Sequence, residues 1–336
     1  MGRRVTRRTV LRTGGTLASI GATSLLAGCQ ADLLRRGDGS PTPAVDAVER
    51  WSPAPFEVAD VFGRPSTPYT VKYVDHAAVV AANDRVTGTV LDDVERRFEA
   101  RFQVLDVQYG AVVYSLTFEF CQVLQCDHDP AALGSRLESA GYGWVGQHRG
   151  FEIYAAGVTN GAVVFGDGDE SNRHRIFGFD GTSLVHARHG GWSIGTAKRT
   201  IKLVVDAHLG EAARVTEDSY AAALLSTALP GDVLRLERTR EREASDANPA
   251  LGRFEGTVGT CTSNRFASDA IQHQRLYPFA DASTIDLDAI ETYVAILDGN
   301  EGTQGGRNVA VDRQGRLVEI TFEVPLESFG ADPSRE

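Results

Sequence analysis

Apolar and polar residues alternate with a period of two in many short segments of the chain, which is typical of half-buried β-strands. Strand segments of this kind are predicted at residues 69–74, 102–126, 142–189, 233–237, 254–262, 272–279, 308–312 and 317–324. Asn160-Gly161 and Asp180-Gly181 lie inside the third segment and suit hairpin turns, since both central residues can adopt positive φ. The pattern therefore predicts antiparallel sheets connected by hairpins.

Apolar residues three or four positions apart predict helices between these strand segments. The predicted helices lie at residues 89–102, 130–140, 196–209, 216–229 and 287–297. Asp129 can cap the second helix, Pro130 suits its first turn, and Gly141 suits its end. Because the strands come in runs without regular βαβ alternation, the predicted fold class is α+β. Antiparallel sheets with helices packed against them are expected, in one or two sub-domains.

Composition predicts how the chain is divided. Residues 29–65 are rich in proline and glycine and include Gly37-Asp38-Gly39-Ser40-Pro41-Thr42-Pro43, which we interpret as a stalk. A first α+β unit is predicted at residues 66–238. A second unit, or a continuation of the same body, is predicted at residues 250–326, and a tail at residues 327–336. With 336 residues the chain is long enough for one large domain or two ordinary ones.

The N-terminal segment has the pattern of an export signal. Arg7 and Arg8 precede an apolar, small-residue run at residues 17–27 that is too short for an ordinary transmembrane span. The paired arginines resemble a twin-arginine (Tat) export signal, and Leu26-Ala27-Gly28-Cys29 resembles a lipobox, in which the cysteine is lipidated. Residues 1–28 are thus predicted to be a signal peptide recognised by the export machinery. Cys29 is predicted to attach the protein to membrane lipid at the outer, extracytoplasmic face of the cytoplasmic membrane.

The charge of the chain argues for a salt-rich surrounding and against nucleic acid. The formal net charge is −11, and residues 1–28 hold five arginines and no acid, so the remainder carries 29 basic against 45 acidic side chains, or −16. Only three lysines occur, at positions 72, 198 and 202. An acidic, lysine-poor surface stays soluble where salt screens long-range repulsion, so a halophilic protein is expected. With no basic stripe left after cleavage, nucleic acid is not expected as a partner.

Residues 129–232 contain a recognisable series of short motifs. They are Ala140-Gly141-Tyr142, Arg149-Gly150-Phe151-Glu152-Ile153-Tyr154, residues 162–166, Val204-Val205-Asp206 and Leu229-Pro230-Gly231-Asp232. With these motifs the segment resembles an uncharacterised family of Tat-exported envelope lipoproteins from salt-adapted archaea, and it is loosely similar to bacterial surface proteins of a domain family of unknown function. These motifs mark turns and element ends and contain no catalytic pattern. The resemblance implies an envelope location and a fold type, and no particular reaction.

Three cysteines other than Cys29 lie in the chain, which permits one internal disulfide in an oxidising compartment. Cys121 and Cys126 are five residues apart in an apolar segment without a turn former, so a bridge between them is not expected. A bridge from Cys126 to Cys261, or from Cys121 to Cys261, is predicted instead. Cys121, Cys126 and His128 match no closed zinc pattern, so no metal is expected.

The sequence contains no Ser-x-x-Lys or His-Glu-x-x-His motif of hydrolases and no Gly-Lys-Ser phosphate loop, which lowers the expectation of an enzyme. No catalytic, cofactor-binding or metal-binding residue is assigned. The predicted function is a lipid-anchored surface protein with a non-enzymatic role in binding or envelope organisation, acting on an envelope protein or a small ligand. A solute-binding lipoprotein of a transporter and an extracytoplasmic hydrolase are the alternatives. The first would need two lobes with parallel sheets, and the second a pocket with convergent polar groups.

Overall fold

The computed structural model describes residues 43–63, 69–83, 95–96, 98–99, 101–118, 120–156, 158–159, 162–163, 175–188, 193–298 and 306–326. The predicted signal peptide, with Arg7 and Arg8, and the predicted lipid attachment residue Cys29 lie outside the described residues. So do the Asn160-Gly161 turn and the tail predicted at residues 327–336.

Twelve of the described strands form one sheet in which every neighbouring pair is antiparallel. The strands are β1 (Tyr69–Asp75), β2 (Tyr114–Phe118), β3 (Cys121–Gln125), β4 (Tyr142–His148), β5 (Phe151–Ala156), β6 (Val158–Thr159), β7 (Ala162–Val163), β8 (Arg175–Phe179), β9 (Ser183–Arg188), β10 (Val233–Arg238), β11 (Gly259–Phe266), β12 (Ala270–Pro278), β13 (Arg307–Gln314) and β14 (Leu317–Pro325). Their order in the sheet is β13-β14-β12-β11-β10-β1-β2-β3-β9-β8-β5-β4, and β6 and β7 form a separate pair.

Seven α-helices with assigned bounds are found in the described part of the chain. They are α1 (Pro43–Trp51), α2 (Pro55–Phe62), α3 (His76–Asn83), α4 (Pro130–Ser139), α5 (Ile194–Leu209), α6 (Ser219–Thr227) and α7 (Leu287–Asp298). Asp129 caps α4 by accepting a hydrogen bond from the backbone N–H of Ala131, as its position before Pro130 predicts. The combination of antiparallel sheet and helices confirms the predicted α+β class.

The two faces of the sheet are covered differently. On the first face, which we call the helical face, α1, α5 and α6 pack over strand residues that include Val71, Leu236 and Cys261 in one continuous core. On the second face, which we call the open face, two separate cores cover the two ends of the sheet. One contains Phe98, Phe102 and side chains of α4, and the other contains side chains of α7. Consecutive strand residues enter opposite cores, as the alternation of side chains along a strand requires.

The stalk predicted at residues 29–65 is wrong for residues 43–62. These residues form α1 and α2, and α1 buries Ala44, Val48 and Trp51 against the helical face. Pro43 and Pro55 stand at the first positions of the two helices. Proline is well suited there because its missing N–H would have no helical partner and its fixed φ matches the helix.

The strands before and after the loop at residues 239–258 belong to the same sheet. β10, at the end of the first predicted unit, pairs with β11 of the second along its whole length, from Val233–Asn264 to Arg238–Gly259. Within the predicted apolar segment at residues 102–126, the structure has two short strands, β2 and β3, that pair as a hairpin. The polypeptide turns between them where the sequence shows no glycine, proline or asparagine.

Candidate binding site on the open face of the sheet

The two cores of the open face lie at its ends and do not cover its middle. We call this region the central band, and it comprises the open-face residues of β1, β10 and β11. They are Thr70, Lys72, Val74, Val233, Arg235, Glu237, Thr260, Thr262 and Asn264, and each is at least partly exposed. Their neighbours on the helical face, such as Val71, Leu234 and Leu236, are fully buried. Among the described helices, α3 packs against β1, β2 and β11 and closes one end of the band.

A line of polar residues crosses the central band at right angles to the strands. Strand pairing places Arg275 opposite Thr262, Thr262 opposite Arg235, Arg235 opposite Lys72, and Lys72 opposite Thr117. We call these five residues the cationic row. Paired residues of an antiparallel sheet project from the same face, so the row spans four strand spacings, or about 19 Å. It lies between the two cores of the open face.

The charges of the cationic row are only partly balanced. The Arg235 guanidinium lies 3.6 Å from the Glu237 carboxylate, two positions along the same strand. The pKa of Lys72 is lowered, first because the surrounding protein removes part of its hydration and second because Arg235 lies beside it. Its side chain nevertheless remains exposed to solvent. The band can therefore offer cationic and hydroxyl donors to a ligand from solvent.

Both ends of the row are fixed by the covering cores. Arg275 donates a hydrogen bond to the Tyr293 hydroxyl of α7, and its guanidinium lies 5.3 Å from the centre of the Phe322 ring. At the other end the register continues from Thr117 to Gln122, whose side chain accepts a hydrogen bond from Arg101 at 3.1 Å. Packing therefore holds Arg275 at one end of the row, and a hydrogen bond holds Gln122, the neighbour of Thr117 at the other end.

A buried serine–histidine pair lies at the end of the band that α3 closes. The His76 Nε2 and Ser115 Oγ atoms are 2.9 Å apart, and the two residues are 3% and 4% exposed. Burial lowers the pKa of His76 to about 4, which makes it a weak base. The adjacent Asp75 carboxylate accepts a hydrogen bond from the Ala78 backbone N–H and makes none with the ring. Closed to solvent and without an orienting carboxylate, this pair does not have the geometry of a nucleophile and its base.

The predicted disulfide is wrong. Cys121, Cys126 and Cys261 are all free thiols and all buried. Cys121 on β3 and Cys261 on β11 are separated by three intervening strands, which places them about 19 Å apart along the sheet, whereas a disulfide needs Cα atoms within about 7 Å. Cys126 belongs to a core of the open face and Cys261 to the core of the helical face, so the sheet lies between them.

Burial favours the protonated form of all three thiols, which is the less reactive form. Burial raises the pKa of Cys261 to about 12 and, together with the nearby Asp127, the pKa of Cys126 to about 11. Burial also raises the pKa of Cys121 well above its ordinary value. The His128 Nδ1 atom is 4.0 Å from the Cys126 sulfur and within 2.9 Å of the Cys126 carbonyl oxygen. In the described part of the chain, no group of three or more histidine, cysteine or acidic side chains could hold a metal ion.

The residues of the cationic row were missed by reasoning from the sequence. Lys72 is one of only three lysines and occupies a polar position of a correctly predicted strand, which was the available signal. Its alignment with Arg235 and Arg275 depends on strand order, and β1 and β10 are separated by more than 150 residues of chain.

None of the described helices is long and apolar enough to cross a membrane.

Comparison with known proteins gives a few distant structural similarities. No protein-family model matches the chain, and no curated protein sequence matches it. Crystal form I of TP0453 is similar with a TM-score of 0.45 at 10% sequence identity, covering 82% of this chain and 95% of that one. Crystal form III of TP0453 gives a TM-score of 0.46 at 9% identity, covering 82% and 96%. Crystal form IV gives 0.43 at 10% identity, covering 85% and 97%.

Proposed function

We propose that this protein is a lipid-anchored binding protein at the outer face of the cytoplasmic membrane, and that the central band is its binding site. The observation that supports binding is the uneven cover of the sheet. On the helical face, α1, α5 and α6 pack over the strands in one continuous core, whereas the middle of the open face exposes polar side chains between two packed cores. Polar and charged side chains that solvent can reach can form hydrogen bonds and ion pairs with a ligand.

The proposed location depends on the N-terminal segment. Arg7, Arg8 and Cys29 have the pattern of export and lipid attachment. The free thiols are compatible with this route, because a body without internal disulfides can fold before it leaves a reducing cytoplasm. The same route would deliver the central band to the outside of the cell.

A non-enzymatic role agrees with the chemistry around the central band. The serine–histidine pair at its end is closed to solvent, and the pKa of its histidine is far below neutral. The transporter alternative required two lobes with parallel sheets, whereas all pairings of the described strands are antiparallel and twelve strands share one sheet. A binding protein that presents one sheet face to its ligand is the function we favour.

Blocking the central band should abolish ligand retention. Thr262 lies between Arg235 and Arg275, so the indole of a Thr262→Trp variant would occupy the middle of the band. The protein would be incubated with a small-molecule extract of the envelope of the cells that produce it. It would then be re-isolated and denatured, and the released compounds would be identified by mass spectrometry. We expect wild-type protein to retain a compound that Thr262→Trp does not.

A matched variant controls for the added indole. Gln314 is exposed at the end of β13, away from the band, so Gln314→Trp should retain the compound as the wild type does. Retention by Thr262→Trp equal to that of the wild type would refute the central band as the binding site. The same holds if folded wild-type protein retains no compound at all.

A further inference from the structure

Two aspartates face each other where β1 ends and β10 begins. The pairing of these strands reaches Val74 and Val233, and Asp75 and Asp232 are the next residues in the same register. The Asp75 backbone N–H donates a hydrogen bond to the Asp232 carbonyl oxygen at 2.8 Å, so the two residues remain opposite each other. Side chains at such positions leave the same face from Cβ atoms about 5 Å apart, and like charges there repel each other.

Each of the two carboxylates is held by one backbone N–H group. Asp75 Oδ1 accepts a hydrogen bond from Ala78 at 2.9 Å, and Asp232 Oδ2 accepts one from Phe266 at 2.7 Å. Within the described residues, the second oxygen of each carboxylate has no hydrogen bond and neither carboxylate has an ion pair. Burial raises the pKa of Asp232 and the Asp75 carboxylate raises it further, whereas the Phe266 N–H and Arg265 only partly oppose the rise.

A buried tyrosine hydroxyl is directed to the same place. Tyr73 lies two positions before Asp75 on β1, so it projects from the same face, and it is only 2% exposed. Burial raises the pKa of this tyrosine, and the nearby Asp75, Tyr114 and Asp232 side chains raise it further. The phenol therefore lies close to both carboxylates, yet it has no hydrogen bond with any described residue. Buried polar groups usually have a partner, and a bound ion can supply one.

The oxygens that meet at this point suit a hard cation. Ca²⁺ and Mg²⁺ prefer oxygen ligands, and both ions are often held by carboxylates together with water molecules. Asp75 and Asp232 are partly exposed, so an ion can reach them from solvent and keep some of its water. With two acidic side chains, the site is smaller than the clusters of three that the described part of the chain lacks.

We propose that Asp75 and Asp232 bind a hard divalent cation, Ca²⁺ or Mg²⁺, with the Tyr73 hydroxyl as a further oxygen ligand. The cation cancels the repulsion between the two carboxylates. It also connects several elements, because Asp75 is bonded to the first turn of α3 and Asp232 to the end of β11. These elements meet at the end of the central band that α3 closes, so the cation would stabilise that end. The proposal depends neither on lipid anchoring nor on ligand binding at the central band.

Titration with defined cations tests the proposal directly. Purified protein would be treated with EDTA, transferred to chelator-free KCl at a concentration that keeps it folded, and titrated with CaCl₂ or MgCl₂ in a calorimeter. Its Tm would be measured with and without each ion. We expect one of the two ions to bind and to raise the Tm, because only the folded state brings the two carboxylates together. Binding of neither ion would overturn the proposal.

Two variants with the same change in charge distinguish this site from the acidic surface as a whole. Asp232→Asn keeps an oxygen for the Phe266 N–H but should weaken binding of the preferred ion at least about tenfold, because a charged ligand is lost. Asp288→Asn removes the same charge from the exposed side of α7 and should leave the affinity within about twofold, because salt screens distant charges. Equal weakening by both variants would show that only net charge matters and would overturn the site.

Removing the Tyr73 hydroxyl alone tests the third ligand. Tyr73→Phe keeps the buried ring and should weaken binding of the preferred ion by about threefold or more, because one oxygen contact is lost. An affinity equal to that of the wild type would overturn the proposal, since the unpartnered hydroxyl would then need another explanation.

Stability with and without the ion separates binding from structure. In EDTA, Asp232→Asn relieves the repulsion and should have a Tm equal to or above that of the wild type. With the preferred ion present, the wild type should become the more stable of the two. A variant that is less stable than the wild type by the same amount under both conditions would assign Asp232 a purely structural role and overturn the inference.

Discussion

Two histidines are kept neutral inside the protein by their surroundings. His76 is 3% exposed among the rings of Phe98 and Tyr109, and His273 stacks on Phe322 with 4.7 Å between ring centres. Burial lowers the pKa of each to about 4, and Arg275 contributes to the shift of His273. The cost of protonating either ring in the folded state links the stability of the protein to pH.

Acid should destabilise the protein between pH 6.5 and pH 4. The unfolded chain takes up these protons near the ordinary histidine pKa of 6.5, whereas the folded protein takes them up only near pH 4. The free energy of unfolding therefore falls as pH drops through this interval, by up to about 3 kcal/mol for each histidine, and this contribution is constant below pH 4. Urea unfolding of wild type and His76→Gln over this range would measure it. A variant with the same pH slope as the wild type would contradict the assignment.

At the scale of single residues, the sequence predicted a local hairpin but not the pairing of distant cysteines. Asp180-Gly181 predicted the β8–β9 hairpin correctly, but only Gly181 has the positive φ expected of both residues. The Asp180 carboxylate instead accepts hydrogen bonds from the backbone N–H groups of Thr182 and Ser183. Such local signals were sufficient because turn and partner are adjacent in sequence. The pairing of distant cysteines was not, because it depends on strand order, which no local pattern reveals.

At the scale of elements, α1 and α2 were the largest error. Ala44, Ala47, Val48 and Trp51 recur at helical spacing and are all buried, so the periodicity was present in the sequence. The nearby prolines gave it the composition of a linker. The predicted helices that became α4, α5 and α7 were correct to within two residues at all six ends, because capping residues and glycines mark those ends. The predicted helix at residues 216–229 is a short 3₁₀ turn followed by α6.

Removing Trp51 should show that α1 belongs to the folded body. Its ring is fully buried, stacks on His208 with 3.8 Å between ring centres, and donates a hydrogen bond from Nε1 to the Tyr114 hydroxyl at 3.2 Å. Trp51→Ala should lower the free energy of unfolding by about 3–5 kcal/mol, measured in guanidinium chloride. Phe56→Ala on α2 is the control, since Phe56 is 53% exposed and its loss should change stability by less than about 0.5 kcal/mol. Equal, small effects would mean that α1 is not packed.

At the scale of the whole molecule, the two faces of one sheet are covered differently. The helical face holds the molecule together through a single core, and the open face leaves a polar surface between two smaller cores. The fold class followed from the sequence because hairpins and helices have local signatures. The central band could not be predicted from the sequence, because it depends on which elements cover the open face. The periodicity of a segment does not show how distant elements pack against each other.

The proposed anchoring is tested by changing the N-terminal segment. Cys29→Ser should release the protein to the medium or leave an uncleaved precursor, because the lipid attachment is lost. Replacing Arg7 and Arg8 together by lysine should block export, and the precursor should remain in the cell. Cell fractionation would locate each variant, and intact-mass measurement would show whether it has been cleaved and lipidated. Processed, membrane-bound Cys29→Ser protein would contradict the lipobox, and normal surface display of the double variant would contradict the export assignment.

The position of α1 sets the length of the tether if Cys29 carries the lipid. Pro43 is the first residue of α1, so thirteen residues lie between Cys29 and the first described element, and thirteen residues can span at most about 45 Å. The stalk predicted at residues 29–65 would have allowed more than twice that distance. A folded body on so short a tether stays within a thin layer next to the bilayer. A ligand bound at the central band would therefore be held close to the membrane surface.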